Sequence, residues 1–429
     1  MILHTVESGE TAYSIARRYG VSPERLIYDN GISAVANALP IGLSLVVLVP
    51  NRTYTVAAGD TLEDIARRFG TTVNALYRNN LPLGGREDIV VGQVLVIDCA
   101  DPPIFDFSVG GYAYPFISGA FLDETLPAMK KCMPFTYGFT EEGTLVPIDD
   151  AEMLARCFAY GTDPFLHLST LTESDAFSNE LSDVLLSTPS LWQTLTDNIL
   201  TTLREKGYRG LDIDFEFVLR RNREAYPRFL TYVRERLSPE GYPLIVALPP
   251  KVSSTQEGLL YEGADYEAVG KAADYVLLMT YEWGYTYGPP MPVSPLPSVR
   301  RVLNYAVSEI APEKIYMGIS NYGYDWTLPY VSGKSRARTL STVEAVSLAS
   351  ENNVPISYSV EYEAPYFFYT DSRGTEHEVW FEDARSLYRK LSLIRDYGFH
   401  GGLYWNLNRE NPQNLAVLAG GMRYDGTDA

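Results

Sequence analysis

The sequence predicts an α/β protein in which a (β/α)8 barrel follows two copies of a small βααβ domain. Two observations support this fold class. The first 98 residues repeat themselves at a spacing of 50 positions, and from residue 99 onward short apolar runs alternate with helical patterns. The chain has 429 residues, of which 46% are hydrophobic and 21% are charged. That length and composition suit more than one globular domain.

The repeat is a gapless match between residues 1–50 and residues 51–98. In each copy an apolar run predicts a strand, two stretches with helical spacing follow, and a second apolar run predicts a closing strand. Gly20 and Gly70 fall where the end of a helix favours a left-handed residue. The paired positions include Thr5 and Thr55, Val6 and Val56, Gly9 and Gly59, Thr11 and Thr61, Leu26 and Leu76, and Asn30 and Asn80. We therefore expect two copies of one small domain.

The opening of the second copy resembles the LysM domain. Residues 56–62 give Val-Ala-Ala-Gly-Asp-Thr-Leu, which fits that family's Val-x-x-Gly-Asp-Thr-Leu pattern, and an Ile-Ala-x-x-Phe-Gly helix end follows. The first copy departs from the pattern at Glu10 and Ala12. The resemblance implies two LysM domains, at 1–50 and 51–98, that bind N-acetylglucosamine-containing glycans such as peptidoglycan or chitin. Two spacer domains without a ligand are the alternative.

Residues 99–429 carry the pattern of a barrel. Helical stripes separate the strand candidates, and the stretch has the size of a TIM (β/α)8 barrel with insertions. A doubly wound open sheet would need a glycine-rich phosphate turn after its first strand, which is missing. An aromatic-rich stretch at about 328–380 predicts an α+β insertion after strand seven. The eight strand candidates are 105–114, 132–140, 164–169, 210–218, 244–248, 275–281, 315–322 and 402–406.

The fourth strand candidate alternates acidic and apolar residues. Asp212, Asp214 and Glu216 share one face of the strand, and the apolar residues share the other. Three carboxyls that point into a barrel cannot all be ionised at low cost, so at least one is expected to be protonated near neutral pH. A protonated carboxyl is what general-acid catalysis requires. A solvated edge strand and a magnesium or calcium site are the alternatives.

This strand closely resembles the signature of glycoside hydrolase family 18, Asp-x-x-Asp-x-Asp-x-Glu. The three acids match, while Arg209 replaces the outermost Asp and Phe215 replaces the common Trp before Glu. Residues 279–282, 318–323 and 402–405 match later family marks in the right order. The resemblance covers 99 to 420 and implies a retaining N-acetylglucosaminidase in which the substrate's own 2-acetamido group is the nucleophile.

The resemblance also implies a role for each matched residue. Glu216 would protonate the glycosidic oxygen and later activate water. Asp214 would orient the acetamido nitrogen, with Asp212 sharing a proton behind it, and Tyr281 would bind the acetamido carbonyl oxygen. The remaining substrate-binding candidates are Trp405, which would stack on the sugar, Glu282 in place of the family's Asp, Met279, Trp283, Asn321 and Tyr322.

Charge and composition exclude several partners. The formal net charge is -19, so nucleic acid and anionic membranes are poor partners. The first 98 residues carry 8 basic and 10 acidic residues, which leaves 27 basic and 44 acidic residues, a net of -17, in the rest. No apolar window reaches the ~18 residues of a membrane span, and no signal peptide is visible. The three cysteines form neither a disulfide framework nor a zinc motif. We expect a monomer without cofactor or metal.

The chain resembles the spore cortical fragment-lytic enzymes of endospore-forming bacteria. The resemblance rests on two LysM-like repeats followed by a family 18 barrel, and on residues 279–285 and 288–290. That similarity implies an N-acetylglucosaminidase of cortex peptidoglycan fragments, located in the spore coat or cortex or in the cell wall. The two repeats would raise the local concentration of wall substrate at the barrel. A chitinase acting on chitin oligomers is one alternative. A non-catalytic peptidoglycan-binding coat protein, or lectin-like protein, is another.

Overall fold

Each N-terminal repeat folds as strand, helix, helix, strand in the computed structural model, which describes residues 1–101, 103–170 and 178–423. The first repeat contains β1 (Ile2–Thr5), α1 (Ala12–Tyr19), α2 (Pro23–Asp29) and β2 (Ser44–Val47). The second contains β3 (Pro50–Thr55), α3 (Leu62–Phe69), α4 (Val73–Asn79) and β4 (Val94–Cys99). In each repeat the two strands pair antiparallel. The predicted βααβ order is confirmed.

Local sequence signals set the ends of these helices. Thr11 and Thr61 cap α1 and α3, because each hydroxyl accepts a hydrogen bond from a backbone N–H in the first turn. Gly20 and Gly70 end the same helices with φ of 68° and 66°, the left-handed conformation that costs glycine little. The repeated residues are therefore mainly those that the small fold itself requires.

The rest of the chain contains sixteen strands and ten helices in its described residues. The strands are β5 (Ser108–Ala113), β6 (Lys131–Pro134), β7 (Gly138–Phe139), β8 (Leu145–Val146), β9 (Asp163–Pro164), β10 (Leu166–Ser169), β11 (Leu211–Asp214), β12 (Leu244–Leu248), β13 (Tyr275–Leu278), β14 (Ile315–Ser320), β15 (Tyr322–Thr327), β16 (Arg338–Ser341), β17 (Ser357–Ser359), β18 (Ala364–Thr370), β19 (Glu376–Trp380) and β20 (Gly401–Trp405). The helices are α5 (Gly119–Thr125), α6 (Ala151–Ala159), α7 (Asn179–Ser187), α8 (Pro189–Lys206), α9 (Ala225–Leu237), α10 (Tyr266–Ala272), α11 (Leu296–Glu309), α12 (Thr342–Glu351), α13 (Ala384–Tyr397) and α14 (Pro412–Gly421). Among the helices in the described ranges, none has the length and apolar character that crossing a bilayer demands.

The parallel strands form a barrel. Their order is β10-β11-β12-β13-β14-β20-β5-β6-β9. β9 and β10 are the two halves of one strand, interrupted at Phe165, so the sheet returns to its starting strand. Phe165 itself donates a backbone hydrogen bond of 2.9 Å to Cys132 on β6. This arrangement confirms the predicted TIM barrel, with β7 and β8 as a separate hairpin.

The insertion between β14 and α13 is an antiparallel sheet of five strands, ordered β16-β15-β19-β18-β17, with α12 between two of them in the chain. The sheet begins at Tyr322, before the predicted start at about 328. Strand seven was predicted to run to Tyr322 but ends at Ser320. The apolar run crosses from one sheet into the other with a single residue, Asn321, between them, so periodicity alone could not locate the boundary.

The first repeat shares an apolar core with this inserted sheet. Ile15 and Val47 from the repeat lie in one buried cluster with Ile356 and Phe367 from the insertion. From the insertion, Ile356 N–H donates to the Ile41 carbonyl at 2.8 Å and Ser350 Oγ to the Ala38 carbonyl at 3.0 Å. From the neighbouring helices α14 and α13, Gln413 Nε2 donates to the Ser44 carbonyl at 2.7 Å and Arg385 Nη2 to the Gly42 carbonyl at 3.0 Å.

The second repeat contacts the barrel through polar groups. Asn74 Nδ2 donates to the Tyr160 carbonyl at 2.8 Å, and the Tyr160 hydroxyl donates to the Gly85 carbonyl at 2.7 Å. Arg78 donates to the Pro127 carbonyl at 2.9 Å. Both repeats are therefore packed on the barrel.

Candidate active site

The acidic strand β11 places two carboxyls inside the barrel. Asp212 is 0% exposed and Asp214 8% exposed, while Leu211 and Ile213 belong to the apolar cluster between the strands and the outer helices. Glu216 follows the end of the strand and is half-buried. Phe217, the next residue, has φ of 58°, a conformation that side chains rarely adopt. The backbone thus turns sharply at the acid that lies closest to the barrel mouth.

Burial and like charge set the ionisation of the Glu216 and Asp214 carboxyls. Burial, together with the neighbouring carboxyls of Asp214 and Glu282, raises the pKa of Glu216 to about 8. The pKa of Asp214 is raised to about 6, because burial and the charge of Asp212 raise it by more than His167 lowers it. At neutral pH one acid can therefore donate a proton while its neighbour carries negative charge.

His167 on β10 is the partner of Asp212. The distance between His167 Nδ1 and Asp212 Oδ2 is 2.7 Å, and neither side chain is exposed. The two residues are paired in the parallel register of β10 and β11, so their side chains lie in the same row. The sequence analysis missed His167. Its signal was a single histidine among apolar residues on strand three, which is meaningful only once strand register is known.

Tyr281 and Glu282 follow the end of β13. Tyr281 is half-buried and packs in an apolar cluster with Tyr322 and Trp405. Burial raises the pKa of Tyr281 well above its ordinary value, so its phenol stays a hydrogen-bond donor at neutral pH. Glu282 has φ of 64°, and its carboxyl accepts hydrogen bonds from Tyr322 at 3.0 Å and from Tyr324 at 3.4 Å. Burial of this carboxyl raises the pKa of Glu282, although its residue as a whole is exposed. Tyr324 was not predicted.

Trp405 ends β20 and lies on an aromatic floor. Its ring centroid is 4.9 Å from Phe135, 5.7 Å from Tyr112 and 5.9 Å from Tyr114. Phe116, which is 79% exposed, stacks on Tyr114 at 5.1 Å and extends the aromatic surface outward. Flat rings at the mouth of an acidic barrel suit the apolar faces of sugar rings.

The other predicted substrate-binding residues, Met279, Trp283 and Asn321, have different surroundings. Met279 lines a small cavity together with Glu216. Trp283 packs against the apolar cluster between strands and helices, and its backbone N–H donates to the Val293 carbonyl at 3.0 Å. Asn321 is 3% exposed, and its side-chain oxygen has no hydrogen-bond partner in the described residues. Among all the residues that the structure describes, no group of three or more His, Cys, Asp or Glu is placed to hold a metal ion.

Comparison with known proteins identifies the class. Residues 138–410 match the model of the glycosyl hydrolases family 18, and residues 4–47 and 54–98 match the LysM domain. The chain therefore belongs to glycoside hydrolase family 18 and carries two LysM domains, as the two resemblances predicted.

Individual relatives are similar over two thirds or more of the chain. The chain is 38% identical over 423 residues to the cortical fragment-lytic enzyme of Bacillus anthracis, with 96% of each chain covered. It is 40% identical over 296 residues to the cortical fragment-lytic enzyme of Bacillus subtilis, covering 69% of this chain and 68% of the relative. The crystal structure of the Bacillus cereus spore cortex-lytic enzyme SleL superposes with a TM-score of 0.82 at 36% identity and covers 98% of both chains.

Proposed function

We propose that this protein hydrolyses N-acetylglucosaminyl bonds in peptidoglycan fragments of the spore cortex, in the spore or at the cell wall. The observation that carries the chemistry is the pair of neighbouring acids whose pKa values are raised to about 8 for Glu216 and about 6 for Asp214. The full-length similarity to cortical fragment-lytic enzymes and the two LysM domains support the choice of glycan.

In the first step, the protonated Glu216 gives its proton to the glycosidic oxygen. The bond between C1 and that oxygen breaks, and the carbonyl oxygen of the 2-acetamido group bonds to C1, which leaves a cyclic oxazolinium ion. In the second step, water gives a proton to Glu216 and attacks C1 from the side that the leaving group vacated, which breaks the bond between C1 and the acetamido oxygen and restores the 2-acetamido group. Two inversions at C1 give retention, without a protein nucleophile.

Asp214 and Tyr281 would hold the acetamido group during these steps. One oxygen of Asp214 is buried without a hydrogen-bond partner in the described residues, so the acetamido N–H would supply the missing donor. The ionised Asp214 would also stabilise the positive charge of the oxazolinium ion. The Tyr281 hydroxyl would donate to the acetamido carbonyl oxygen. Trp405 would support the sugar ring, and the mechanism needs no cofactor.

The first prediction concerns the acid. Glu216→Gln is expected to lower turnover of cortex fragments roughly 100-fold or more, because the proton donor is lost while the side-chain shape is kept. Mass spectrometry of the digest gives turnover, the bond that opens and the new reducing end. Glu235→Gln, an exposed position on α9, is the control and should leave turnover unchanged. Retained cleavage in Glu216→Gln would contradict the proposal.

The same assay distinguishes the substrates. Wild-type protein is expected to release N-acetylglucosamine-ended products from cortex fragments faster than from chitin oligomers of equal length. Anomeric proton signals recorded during the reaction are expected to show retention first. Faster turnover of chitin oligomers would assign the activity to chitin instead, and initial inversion would exclude the acetamido group as nucleophile.

A further inference from the structure

The buried pair of His167 and Asp212 lies behind the reacting carboxyls. The 2.7 Å contact joins Nδ1 of His167 to one oxygen of Asp212, and both side chains are 0% exposed. The other ring nitrogen of His167 has no hydrogen-bond partner among the described residues. The ring is therefore held by one strong contact, to a carboxyl.

The environment of the ring is nearly dry. Phe135 stacks on it at 4.9 Å with an interplanar angle of 24°, and Tyr112 meets it edge-on at 5.1 Å. The groups around His167 are Tyr112 from β5, Phe135 from the end of β6, and Asp212 and Asp214 from β11. Of these, the phenol of Tyr112 stays neutral, because burial and the charge of Asp212 raise its pKa well above the ordinary value. The two aspartates are thus the acidic groups that face the ring.

Two adjacent buried carboxylates repel each other, and a barrel without a nearby cation would force them to share one proton. In this chain His167 lies 2.7 Å from Asp212, so a proton on its ring would neutralise Asp212 instead. Asp214 is then free to carry the single negative charge that the acetamido N–H and the oxazolinium ion need. His167 does oppose the rise in the pKa of Asp214, which is the direction that this arrangement requires.

We propose that His167 is a positioning residue that stays protonated beside Asp212 and thereby keeps Asp214 ionised during hydrolysis. This inference rests on the proposed function, because it concerns the charge of the group that binds the acetamido nitrogen. His167 touches neither substrate nor the reacting atoms and acts through Asp212.

The first test is the pH profile of His167→Gln. Glutamine can still donate a hydrogen bond to Asp212 but cannot carry charge. The acid limb of the kcat profile is expected to move up by about one pH unit, because an opposite charge within this distance shifts a carboxyl by ~1 to 3 units. KM should change less than about twofold, since the contacts with substrate remain. His400→Gln removes a half-buried histidine of another part of the barrel and should leave the acid limb in place. An unmoved acid limb in a folded His167→Gln variant would refute the proposal.

The second test does not depend on activity or on the folding of that variant. The chain has four histidines, so nitrogen NMR of histidine-labelled protein can be assigned by elimination with His4→Gln, His377→Gln and His400→Gln. The remaining signal, from His167, is expected to show an imidazolium above neutral pH, where an unperturbed histidine with a pKa of about 6.5 is neutral. In Asp212→Asn it should become neutral. A neutral His167 in the wild type would overturn the inference.

The two tests separate the two proposals. A wild-type protein that cleaves no glycan would contradict the proposed function, and the NMR experiment would still decide the charge of His167. An active wild type with an unchanged His167→Gln profile would contradict this inference alone.

Discussion

Glu216 and Asp214 are two residues apart in the sequence, yet the proposed function gives them opposite tasks. Both are carboxyls of one strand and its continuation, and burial raises the pKa of each. Among the described residues, the charges that shift the pKa of Glu216 are those of Asp214 and Glu282, which raise it, whereas His167 lowers the pKa of Asp214. The difference in neighbours therefore separates the acid from the carboxylate.

The pH dependence of activity follows from these values. Asp214 must be ionised, which requires a pH above about 6, and Glu216 must be protonated, which requires a pH below about 8. The profile of kcat/KM is expected to be bell-shaped, with its maximum between these values. Initial rates on one soluble cortex fragment across the pH range measure it. A profile that is flat across both limbs would contradict the assignment of the two roles.

Glu216 also affects the stability of the folded protein. Because the folded-state pKa of Glu216 lies above its unfolded value of 4.5, its contribution to stability is lost as pH rises from about 4.5 to about 8. Glu216→Gln removes this loss, so at about pH 9 the variant should be more stable than the wild type by up to about 5 kcal/mol. At about pH 4, where both forms are neutral, the difference should be small. Urea unfolding at both pH values measures the change, with Glu235→Gln as the control.

At the scale of elements, the inserted sheet contributes to the ionisation of the site. Tyr322, on β15, donates to Glu282, and that hydrogen bond lowers the pKa of Glu282. Tyr322→Phe should therefore leave Glu282 more protonated, weaken its charge beside Glu216, and move the basic limb of kcat to lower pH. Tyr358→Phe is a matched control, since Tyr358 donates to Glu363 in the same sheet at 2.9 Å, away from the site. A basic limb that stays in place in Tyr322→Phe would show that the insertion does not act on Glu216.

The strands show what sequence patterns can predict. The predicted strand 244–248 matches β12, because five apolar residues between turns leave little choice of boundary. The predicted strand 210–218 ends early, at Asp214, since the backbone turns before Phe217. The predicted strand 132–140 divides into β6 and part of a hairpin, β7. Apolar runs therefore located the eight strands of the barrel, while the ends depended on tertiary turns that periodicity does not encode.

The candidate site also combines residues that sequence patterns predict with residues that they do not. The acids of β11 could be predicted because three carboxyls on one strand face leave a local signal. His167 and Tyr324 could not, because each acts through a contact across elements, with Asp212 and with Glu282. Asn30 and Asn80, matched between the repeats, join the second helix to the closing strand by side-chain hydrogen bonds of 2.7 to 2.9 Å. Their recurrence reflects the fold of the repeat.

At the scale of the whole molecule, the first repeat is part of the structure that supports the active site. Its closing strand and helices share a buried core with α12 and the inserted sheet, and that sheet carries Tyr322 and Tyr324 to Glu282. The LysM domain therefore also braces the wall of the catalytic site.

A pair of equivalent glycines tests this contact. Gly42 and Gly92 occupy the same position in the two repeats, with φ of 85° and 89°. A Cβ at Gly42 would collide with the Ile356 carbonyl oxygen of the insertion, whereas a Cβ at Gly92 would meet nothing within 4 Å. Both alanine variants strain the backbone, so the difference between them isolates the contact. Gly42→Ala should be less stable than Gly92→Ala by roughly 2 kcal/mol or more in urea unfolding. Equal stability would mean that the contact contributes little.

The joint between the first repeat and the barrel also constrains how the enzyme searches its substrate. A binding domain on a flexible linker could stay bound to one glycan strand while the barrel acted on neighbouring strands. Here the hydrogen bonds at Ile41, Gly42 and Ser44 fix the repeat to the insertion and to the helices beside it. Any rotation of the repeat on a bound glycan turns Glu216 through the same angle. The distance between the first repeat and Glu216 is accordingly fixed. A new glycosidic bond reaches Glu216 only when the whole enzyme moves along the glycan.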